Sequence, residues 1–265
     1  MSSLQYHAES NGIITLTLHR PNVLNAFDEE LICTLTDCLH DIDRNQQARA
    51  VVLTGEGECF SAGADLNWMR GMQGAGISDH EHQALQLARL LRTLNFLRLP
   101  TIARVNGSAY GGGVGLVACC DIVVAVDSAE FALSEGRLGL APAVISPYVF
   151  RRIGESHVRR YFLTGERFDA VHARRMGLVH EIVPAAELDR SVQRFIAQIL
   201  KAGPRAVGHC KKLAYHAAGH DEDRQVVLDQ YTAHLIAEIQ TSPEGMEGIN
   251  AFLEKRRPAW YPDQD

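Results

Sequence analysis

Two segments of the chain combine small residues with a preceding apolar run, and either could direct backbone N–H groups at an oxygen atom. The first covers residues 60–66 and reads FSAGADL. Small side chains permit close approach of the backbone, so the N–H group of Ala64 is a candidate donor to a ligand oxygen. The alternative is a tight turn that simply requires small residues, and this segment by itself favours the turn.

The second segment covers residues 106–116, reads NGSAYGGGVGL and leads into an apolar stretch with a helical pattern. The first N–H groups of a helix have no partner inside the helix and lie at its positive end, so they can stabilise an oxyanion. Close packing of the helix is the alternative role for these glycines. The segment lacks the Gly-Lys-Ser/Thr ending of a phosphate-binding loop, and its glycine spacing does not match the dinucleotide-binding fingerprint.

The elements that must position these segments follow from the hydrophobic pattern. Apolar runs predict strands over residues 13–18, 50–54, 101–105, 122–126 and 178–183. Helical spacing predicts helices after Asp28, over 80–97, after the glycine cluster and over 169–176. Strands that alternate with helices through short glycine-rich links favour an α/β fold with parallel pairing.

Helical patterns dominate the last part of the chain, over residues 187–201, 204–218, 221–240 and 243–254. No Ser-, Gly- or Pro-rich linker separates this part from the rest, and no repeat is evident. We therefore expect one α/β core over residues 1–200 and a helical C-terminal segment over 201–265.

Composition disfavours several functional classes. The 265 residues include 26 Lys and Arg against 32 Asp and Glu, for a net charge of −6, and 46% are hydrophobic. This balance disfavours an electrostatic nucleic-acid binder and predicts a folded chain. The six cysteines form no C-x-x-C pair, no export signal opens the chain, and the longest apolar stretch, 114–126, is too short to cross a bilayer. We expect a cytoplasmic protein with reduced thiols and no membrane partner.

Taken together, the two small-residue segments resemble the crotonase superfamily, also called the enoyl-CoA hydratase/isomerase family. Members have an S-A-G-A-D-L-type segment and a later N-G-x-A-x-G-G-G-x segment. The resemblance continues through residues 20–27 (RPNVLNAF), 129–131, 138–140 and 252–256, and covers essentially the whole chain. It implies a crotonase-like spiral of ββα units with a helical C-terminal trimerisation segment, assembled as a homotrimer or a dimer of trimers.

The resemblance also implies site residues. The backbone N–H groups of Ala64 and Gly112 would form an oxyanion hole around the thioester carbonyl of an acyl-CoA, and Glu135 would move the protons. Coenzyme A would enter as part of the substrate, so neither a separate cofactor nor a metal is implied. Phe252 and Lys255 match positions that meet the CoA of a neighbouring subunit, and the path of the CoA itself matches Val23, Leu24, Ala62, Asp65, Leu66 and Asn67.

The chain departs from the family pattern at one position. Typical enoyl-CoA hydratases carry two glutamates that hold a water molecule, and the first of these positions is Gly115 here. The second is Glu135, for which a surface glutamate after a strand is the alternative interpretation. Loss of one carboxylate is compatible with double-bond isomerisation or with a hydratase that uses one carboxylate.

Residues 134–149, and Asn67-Trp68-Met69, are similar to bacterial hydratases of 3-branched glutaconyl-CoAs in leucine and acyclic-terpene breakdown, namely methylglutaconyl-CoA and isohexenylglutaconyl-CoA hydratases. Glycine in place of glutamate would remove charge and volume near C3, as a carboxymethyl branch requires. Three residues could meet the distal carboxylate of such a substrate, although a surface position or core packing explains each equally well: Arg70, Arg137 and Tyr148.

Other functions and other candidate residues remain open. An isomerase or hydrolase on the same scaffold is the enzymatic alternative, and a non-catalytic CoA- or RNA-binding homologue is the alternative from another class. His216 and His220 lack the glutamate of a zinc-protease motif, so we expect both on a solvated helix face. We also expect His80 and His82 at the surface, and Cys119 and Cys120 in the core.

Overall fold

The computed structural model describes residues 2–262. Within this range the strands are β1 Leu4–Ala8, β2 Ile13–Leu18, β3 Ala50–Gly55, β4 Cys59–Ser61, β5 Thr101–Val105, β6 Ser108–Tyr110, β7 Ile122–Val126, β8 Glu130–Ala132, β9 Arg167–Asp169 and β10 Glu181–Val183. The helices are α1 Glu29–Arg44, α2 Leu66–Gly71, α3 Ile77–Phe96, α4 Gly112–Cys119, α5 Ser146–Thr164, α6 Ala170–Met176, α7 Leu188–Lys201, α8 Pro204–Ala217, α9 Glu222–Thr241 and α10 Pro243–Leu253.

The larger sheet has the order β1-β2-β3-β5-β7-β10, and all its pairs are parallel except β1 with β2. Every residue of β3 is buried, as expected for a parallel strand covered on both faces. The five strands predicted from apolar runs all belong to this sheet. The sixth, β1, has alternate polar residues and largely exposed side chains, so its hydrophobic pattern is weak.

A second, smaller sheet has the order β4-β6-β8-β9, with β4, β6 and β8 parallel and β9 antiparallel to β8. Hydrophobic periodicity does not predict it because its strands have only three residues each. β4, β6 and β8 each follow closely on a strand of the larger sheet, β3, β5 and β7 respectively. A strand in each sheet and then a helix form the repeated unit, which confirms the α/β spiral of ββα units.

The sequence pattern does not predict helix α5 either. It contains Pro147 and Gly154, which ordinarily interrupt helices. Pro147 lies in the first turn, where its missing N–H group would have no partner in any case. Gly154 takes a φ of 74° at a kink in the helix.

The helical C-terminal segment is confirmed, and it packs back on the core. Helix α9 lies along α3, and α10 contacts both α9 and the 3₁₀ helix at residues 135–138. Asp221 caps α9 by accepting a hydrogen bond from the N–H of Arg224 at 2.7 Å. None of the helices within residues 2–262 is both long enough and apolar enough to cross a membrane.

Candidate active site

The small sheet brings three sequence-predicted residues to one edge. Its parallel strands pair Ser61 with Ala109 and Tyr110 with Ala132. Ala64, Gly112 and Glu135 follow β4, β6 and β8 within a few residues. Because carboxyl ends of adjacent parallel strands meet at the same edge of a sheet, the loops that carry these three residues are neighbours.

A short strand-like pairing fixes the orientation of the Ala64 N–H group. The N–H of Phe27 donates to the carbonyl of Gly63 at 2.6 Å, and the N–H of Asp65 donates to the carbonyl of Phe27 at 2.8 Å. Since Gly63 and Asp65 both use the side that faces Phe27, the N–H of Ala64 points away from Phe27. It has no hydrogen-bond partner among residues 2–262.

The Asp65 side chain connects this loop to α2 and to Arg20. One of its carboxylate oxygens caps α2 by accepting from the N–H of Asn67 at 2.7 Å, and the other lies 3.0 Å from the guanidinium of Arg20. Arg20 also pairs with Asp28, the N-cap of α1, at 2.7 Å. The Asp65 side chain is buried, so its role in this chain is to hold the loop beside Ala64.

Glycines allow the start of α4 to approach its neighbours closely. A Cβ atom on Gly113 would lie 2.6 Å from the carbonyl oxygen of Ser61, and one on Gly112 would lie 2.7 Å from the ring of Phe27. Gly111 has a φ of 49°, which other residues rarely adopt. A Cβ on Gly63 would lie 3.5 Å from the backbone nitrogen of Gly112, so the two loops are in contact.

The N–H of Gly112 is also free to bind a ligand. It belongs to the first residue of α4, whose opening N–H groups have no partner inside the helix. No acceptor for it is present within the part of the chain that the structure describes. The positive end of the α4 dipole adds to its attraction for negative charge.

A cavity of about 640 Å³ connects these groups. Ala64, Gly112 and Glu135 all line it, together with Ala62 and Phe252. Much of the remaining wall is apolar and comes from α2, α3 and residues 138–145. Two unpartnered backbone donors and a carboxyl group therefore line one cavity, which is large enough for an acyl chain.

Glu135 has an unusual environment for a carboxyl group. Its Oε2 atom is buried and has no hydrogen-bond partner within residues 2–262. Its Oε1 atom lies 3.1 Å from where a Cβ on Gly111 would stand, so a larger residue at position 111 would crowd the carboxylate. Burial disfavours the charged form and raises the pKa of Glu135 from 4.5 to about 7. This is the range that a group must have to both accept and return a proton near neutral pH.

The position of the missing second carboxylate is not empty. A Cβ on Gly115 would lie 2.5 Å from Cγ2 of Ile145 and 3.5 Å from Cδ2 of Leu91. The expectation that glycine frees volume near C3 is therefore wrong at this position. Ile145, which itself lines the cavity, fills the space that a longer side chain would need.

The residues expected along the CoA path lie mostly outside the cavity wall. Ala62 lines it, whereas Val23, Leu24, Asp65, Leu66, Asn67 and Lys255 do not. Leu24, Leu66 and Asn67 are exposed beside the Ala64 loop. Phe252 lines the cavity of its own chain, although the resemblance implied contact with a neighbouring subunit's CoA.

Of the three residues that could bind a distal carboxylate, only one lines the cavity. Arg137 lines the cavity and donates through Nε to the carbonyl of Thr164 at 3.2 Å. Arg70 is exposed, bonds to the Asn67 side chain and does not line the cavity. Tyr148 is fully buried outside the cavity wall, and burial raises the pKa of its hydroxyl.

Sequence reasoning missed several polar residues of the cavity wall: Trp68, His80, Gln83 and Gln240. The surface position expected for His80 is wrong, because its side chain is buried against the cavity. Its helical spacing with Ala84 and Leu87 was the available signal, since all three lie on one face of α3. His82, by contrast, is exposed as expected.

The remaining candidates among residues 2–262 are groups of metal ligands and the adjacent thiols of Cys119 and Cys120. No group of three or more His, Cys, Asp or Glu side chains there could hold a metal ion. Cys119 and Cys120 are buried as expected, and burial raises the pKa of Cys120 to about 12. Thiols held in the protonated form are poor nucleophiles.

Comparison with known proteins identifies one family over nearly the whole chain. The model of the enoyl-CoA hydratase/isomerase family matches residues 8–263. A probable enoyl-CoA hydratase of Rhodobacter capsulatus is 34% identical over 253 residues, or 94% of each chain. The 1,2-epoxyphenylacetyl-CoA isomerase of Escherichia coli is 31% identical over 261 residues, or 97% of this chain and 98% of that protein.

A solved structure extends the match to the fold. The enoyl-CoA hydratase of Shewanella pealeana superposes with a TM-score of 0.79 at 40% identity, covering 97% of this chain and 96% of that one. Sequence, fold and the paired small-residue loops agree, and the chain belongs to the enoyl-CoA hydratase/isomerase family, with the crotonase fold.

Proposed function

We propose that this protein is a hydro-lyase that hydrates a 3-branched 2-enoyl-CoA, of the 3-methylglutaconyl or isohexenylglutaconyl type, to a 3-hydroxyacyl-CoA. Such a reaction belongs to leucine or acyclic-terpene catabolism. The observation that carries the proposal is that Glu135, with its raised pKa, shares one cavity with the N–H groups of Ala64 and Gly112. Relatives named enoyl-CoA hydratases support the reaction type.

The proposed mechanism starts at the thioester. The N–H groups of Ala64 and Gly112 donate to the thioester oxygen and draw electron density from the conjugated double bond, which makes C3 electrophilic. Negative charge then develops on that oxygen as the enolate forms. Loss of one donor of this kind costs about 3 kcal/mol in comparable oxyanion holes.

Glu135 moves the protons in this scheme. Its ionised carboxylate accepts a proton from water while the water oxygen bonds to C3. The carboxylic acid so formed returns a proton to C2, and the enolate collapses to the saturated thioester. Water is thereby added across the double bond, and Glu135 ends in its starting state. A pKa near 7 suits both steps because neither protonation state is strongly favoured.

The single carboxylate favours a branched substrate because the wall beside Gly115 is apolar and uncharged, and not because it leaves free volume. Ile145 occupies the position next to Gly115 and lines the cavity with an apolar surface. Residues 138–145 and α3 extend this surface. A substituent on C3 would contact these side chains, whereas a second carboxylate there would repel a negatively charged branch.

We also propose that the protein works in the cytoplasm as a homotrimer or a dimer of trimers, with coenzyme A supplied by the substrate. The assembly rests on the family resemblance and on exposed apolar side chains of α8 and α9. The location rests on the free cysteines of the described residues.

A double-bond isomerase is the second candidate. One carboxylate suffices to move a proton between two carbons, and the Escherichia coli relative is named an isomerase. The same oxyanion hole would stabilise the enolate intermediate of that reaction.

Kinetics with product analysis tests the proposal. The purified protein is given 3-methylglutaconyl-CoA, isohexenylglutaconyl-CoA and crotonyl-CoA, and products are identified by mass spectrometry. We expect a mass gain of one water molecule and a kcat/KM at least tenfold higher for a branched substrate than for crotonyl-CoA, as one missing substituent in an apolar pocket commonly costs. An unchanged mass with a shifted double bond would indicate the isomerase, and no turnover of any of the three would contradict the hydratase.

A further inference from the structure

The proposed chemistry leaves a group of hydrogen-bond donors in the cavity unused. Trp68 of α2, and His80 and Gln83 of α3, line the same cavity as Glu135. Ala84 and Leu87 share the cavity-facing side of α3 with them, so the donors interrupt an otherwise apolar wall. A purely apolar acyl chain against this wall would leave these donors without acceptors.

Trp68 is the clearest case of a donor without an acceptor. Its Nε1 atom is buried and has no acceptor among residues 2–262. An indole N–H group can only donate, and an unpaired buried donor is unfavourable. An acceptor oxygen supplied by the ligand would remove that penalty.

His80 adds a second donor at this wall. Its side chain is buried, and burial lowers the pKa of its ring below the ordinary value of 6.5. It is therefore neutral at pH 7 and carries one N–H group. Gln240 also lines the cavity and is a further polar residue of its wall.

Arg137 and Arg167, the arginines of the cavity wall, lie on other elements than Trp68 and His80. Arg137 donates to the carbonyl of Thr164. Arg167 pairs with Glu130 at 3.0 Å and lies over the ring of Tyr110, 5.4 Å from its centroid. Neither is on α2 or α3, so the polar part of the α2–α3 wall consists of neutral donors.

We propose that Trp68 and His80 select the substrate by donating hydrogen bonds to an acceptor on the acyl branch, remote from the thioester, and that this acceptor is a carboxylate. The inference rests on the proposed function for its choice of ligand. Trp68 and His80 thus take the place of Arg70 and Tyr148, which do not line the cavity, as partners for the distal carboxylate. Trp68 and His80 are specificity-determining residues in this scheme and take no part in proton transfer.

Binding of unreactive saturated ligands tests the inference. Isothermal titration calorimetry compares 3-methylglutaryl-CoA with 3,5-dimethylhexanoyl-CoA, in which an isopropyl group of similar shape replaces the carboxylate. The Trp68→Phe variant keeps an aromatic ring and removes the donor. We expect it to bind the carboxylate ligand at least tenfold more weakly, as loss of a hydrogen bond to a charged group predicts, and the isopropyl ligand within twofold of wild type.

The chain offers a matched control in its other tryptophan, Trp260, which is partly exposed and does not line the cavity. Trp260→Phe is expected to change neither dissociation constant. His80→Leu is the second test variant, with the same selective loss expected, and it decides the question if Trp68→Phe does not fold.

Two results would overturn the inference: equal weakening of both ligands in the variants, or unchanged binding of 3-methylglutaryl-CoA. The outcome is separable from that of the proposed function because these ligands cannot be hydrated. A selective loss of binding without any hydratase activity would contradict only the proposed reaction. Hydration of 3-methylglutaconyl-CoA by a Trp68→Phe variant with wild-type KM would contradict only the role of Trp68.

Discussion

At the scale of single residues, the electrostatics of Glu135 links its proposed role as a base to the stability of the fold. The fold holds its carboxyl group in a buried position beside Gly111, where no side chain stands between them. Burial raises its pKa to about 7, so the ionised form is destabilised in the folded protein but not in the unfolded chain. The property that suits Glu135 to proton transfer therefore weakens the fold at alkaline pH.

Glu135→Gln is expected to lower kcat for hydration by about 10²–10⁴, because an amide can neither accept nor return the proton. It should also stabilise the fold above pH 7. The folded pKa lies above the ordinary value of 4.5, so the wild type loses stability as the pH rises from 4.5 through about 7. The loss amounts to about 3 kcal/mol and should be absent in the variant. Urea denaturation at pH 4.5 and pH 8 measures the difference.

Glu187→Gln is the matched control, since Glu187 is exposed and does not line the cavity. It should change neither kcat nor the pH dependence of stability. In the wild type, kcat/KM should rise with pH through about 7 as Glu135 ionises. Near-wild-type hydration by Glu135→Gln would exclude Glu135 as the base.

At the scale of elements, the packing of α4 explains the absence of a second carboxylate. α4 lies between the small sheet and the start of α5, and Gly115 is the residue where Ile145 comes closest. Ile145 is β-branched and stiff at χ1, so it cannot easily turn aside for a new side chain. Glycine at this position is therefore required by helix packing as well as permitted by the chemistry.

Gly115→Ala is expected to lower the free energy of unfolding by about 1–2 kcal/mol. The cost of overpacking against Ile145 exceeds the roughly 1 kcal/mol that alanine gains over glycine in a helix. Adding Ile145→Ala should make Gly115→Ala less harmful than it is alone, and denaturant melts of the four-member cycle measure this coupling. Gly71→Ala is the control, because nothing lies within 4 Å of its Cβ position. Additive effects of Gly115→Ala and Ile145→Ala on the free energy of unfolding would show that the two residues do not interact.

At the scale of the whole molecule, the C-terminal helices have one side packed on the core and one side exposed to solvent. Ile236, Gln240 and Phe252 of α9 and α10 close the cavity of their own chain. Val227 and Tyr231 of α9, by contrast, are each 65% exposed, as is Leu213 of α8. Val227 and Tyr231 lie one turn apart on α9, and large apolar side chains exposed together are typical of an interface between subunits.

We expect light scattering to give the mass of a trimer or a hexamer, and Val227→Glu to shift it towards the monomer. A charge buried at an interface without a partner is strongly unfavourable. Asp223→Asn on the same helix, at an exposed polar position, should leave the mass unchanged. A monomeric wild type would contradict the proposed assembly.

Comparison of particular elements shows how far sequence reasoning reaches. Long apolar runs such as β3 and β5 and capped helices such as α1 and α9 are predicted, because burial on both faces and capping leave local signals. The three-residue strands of the small sheet leave none, and the kinked α5 contradicts its local signals at Pro147 and Gly154. Among site residues, Ala64, Gly112 and Glu135 stand in motifs, whereas Trp68 and His80 reach the cavity only through the packing of α2 and α3.

The sequence by itself therefore determined the family, the α/β core, the helical C-terminal segment and the three residues that follow the small strands. These properties depend on short-range patterns of apolar, small and capping residues. Only the tertiary structure decided that Glu135 is buried with a raised pKa, that Ile145 fills the space beside Gly115, and that His80 faces the cavity. Each of these depends on residues distant in sequence, because desolvation and close packing are properties of the space around a side chain.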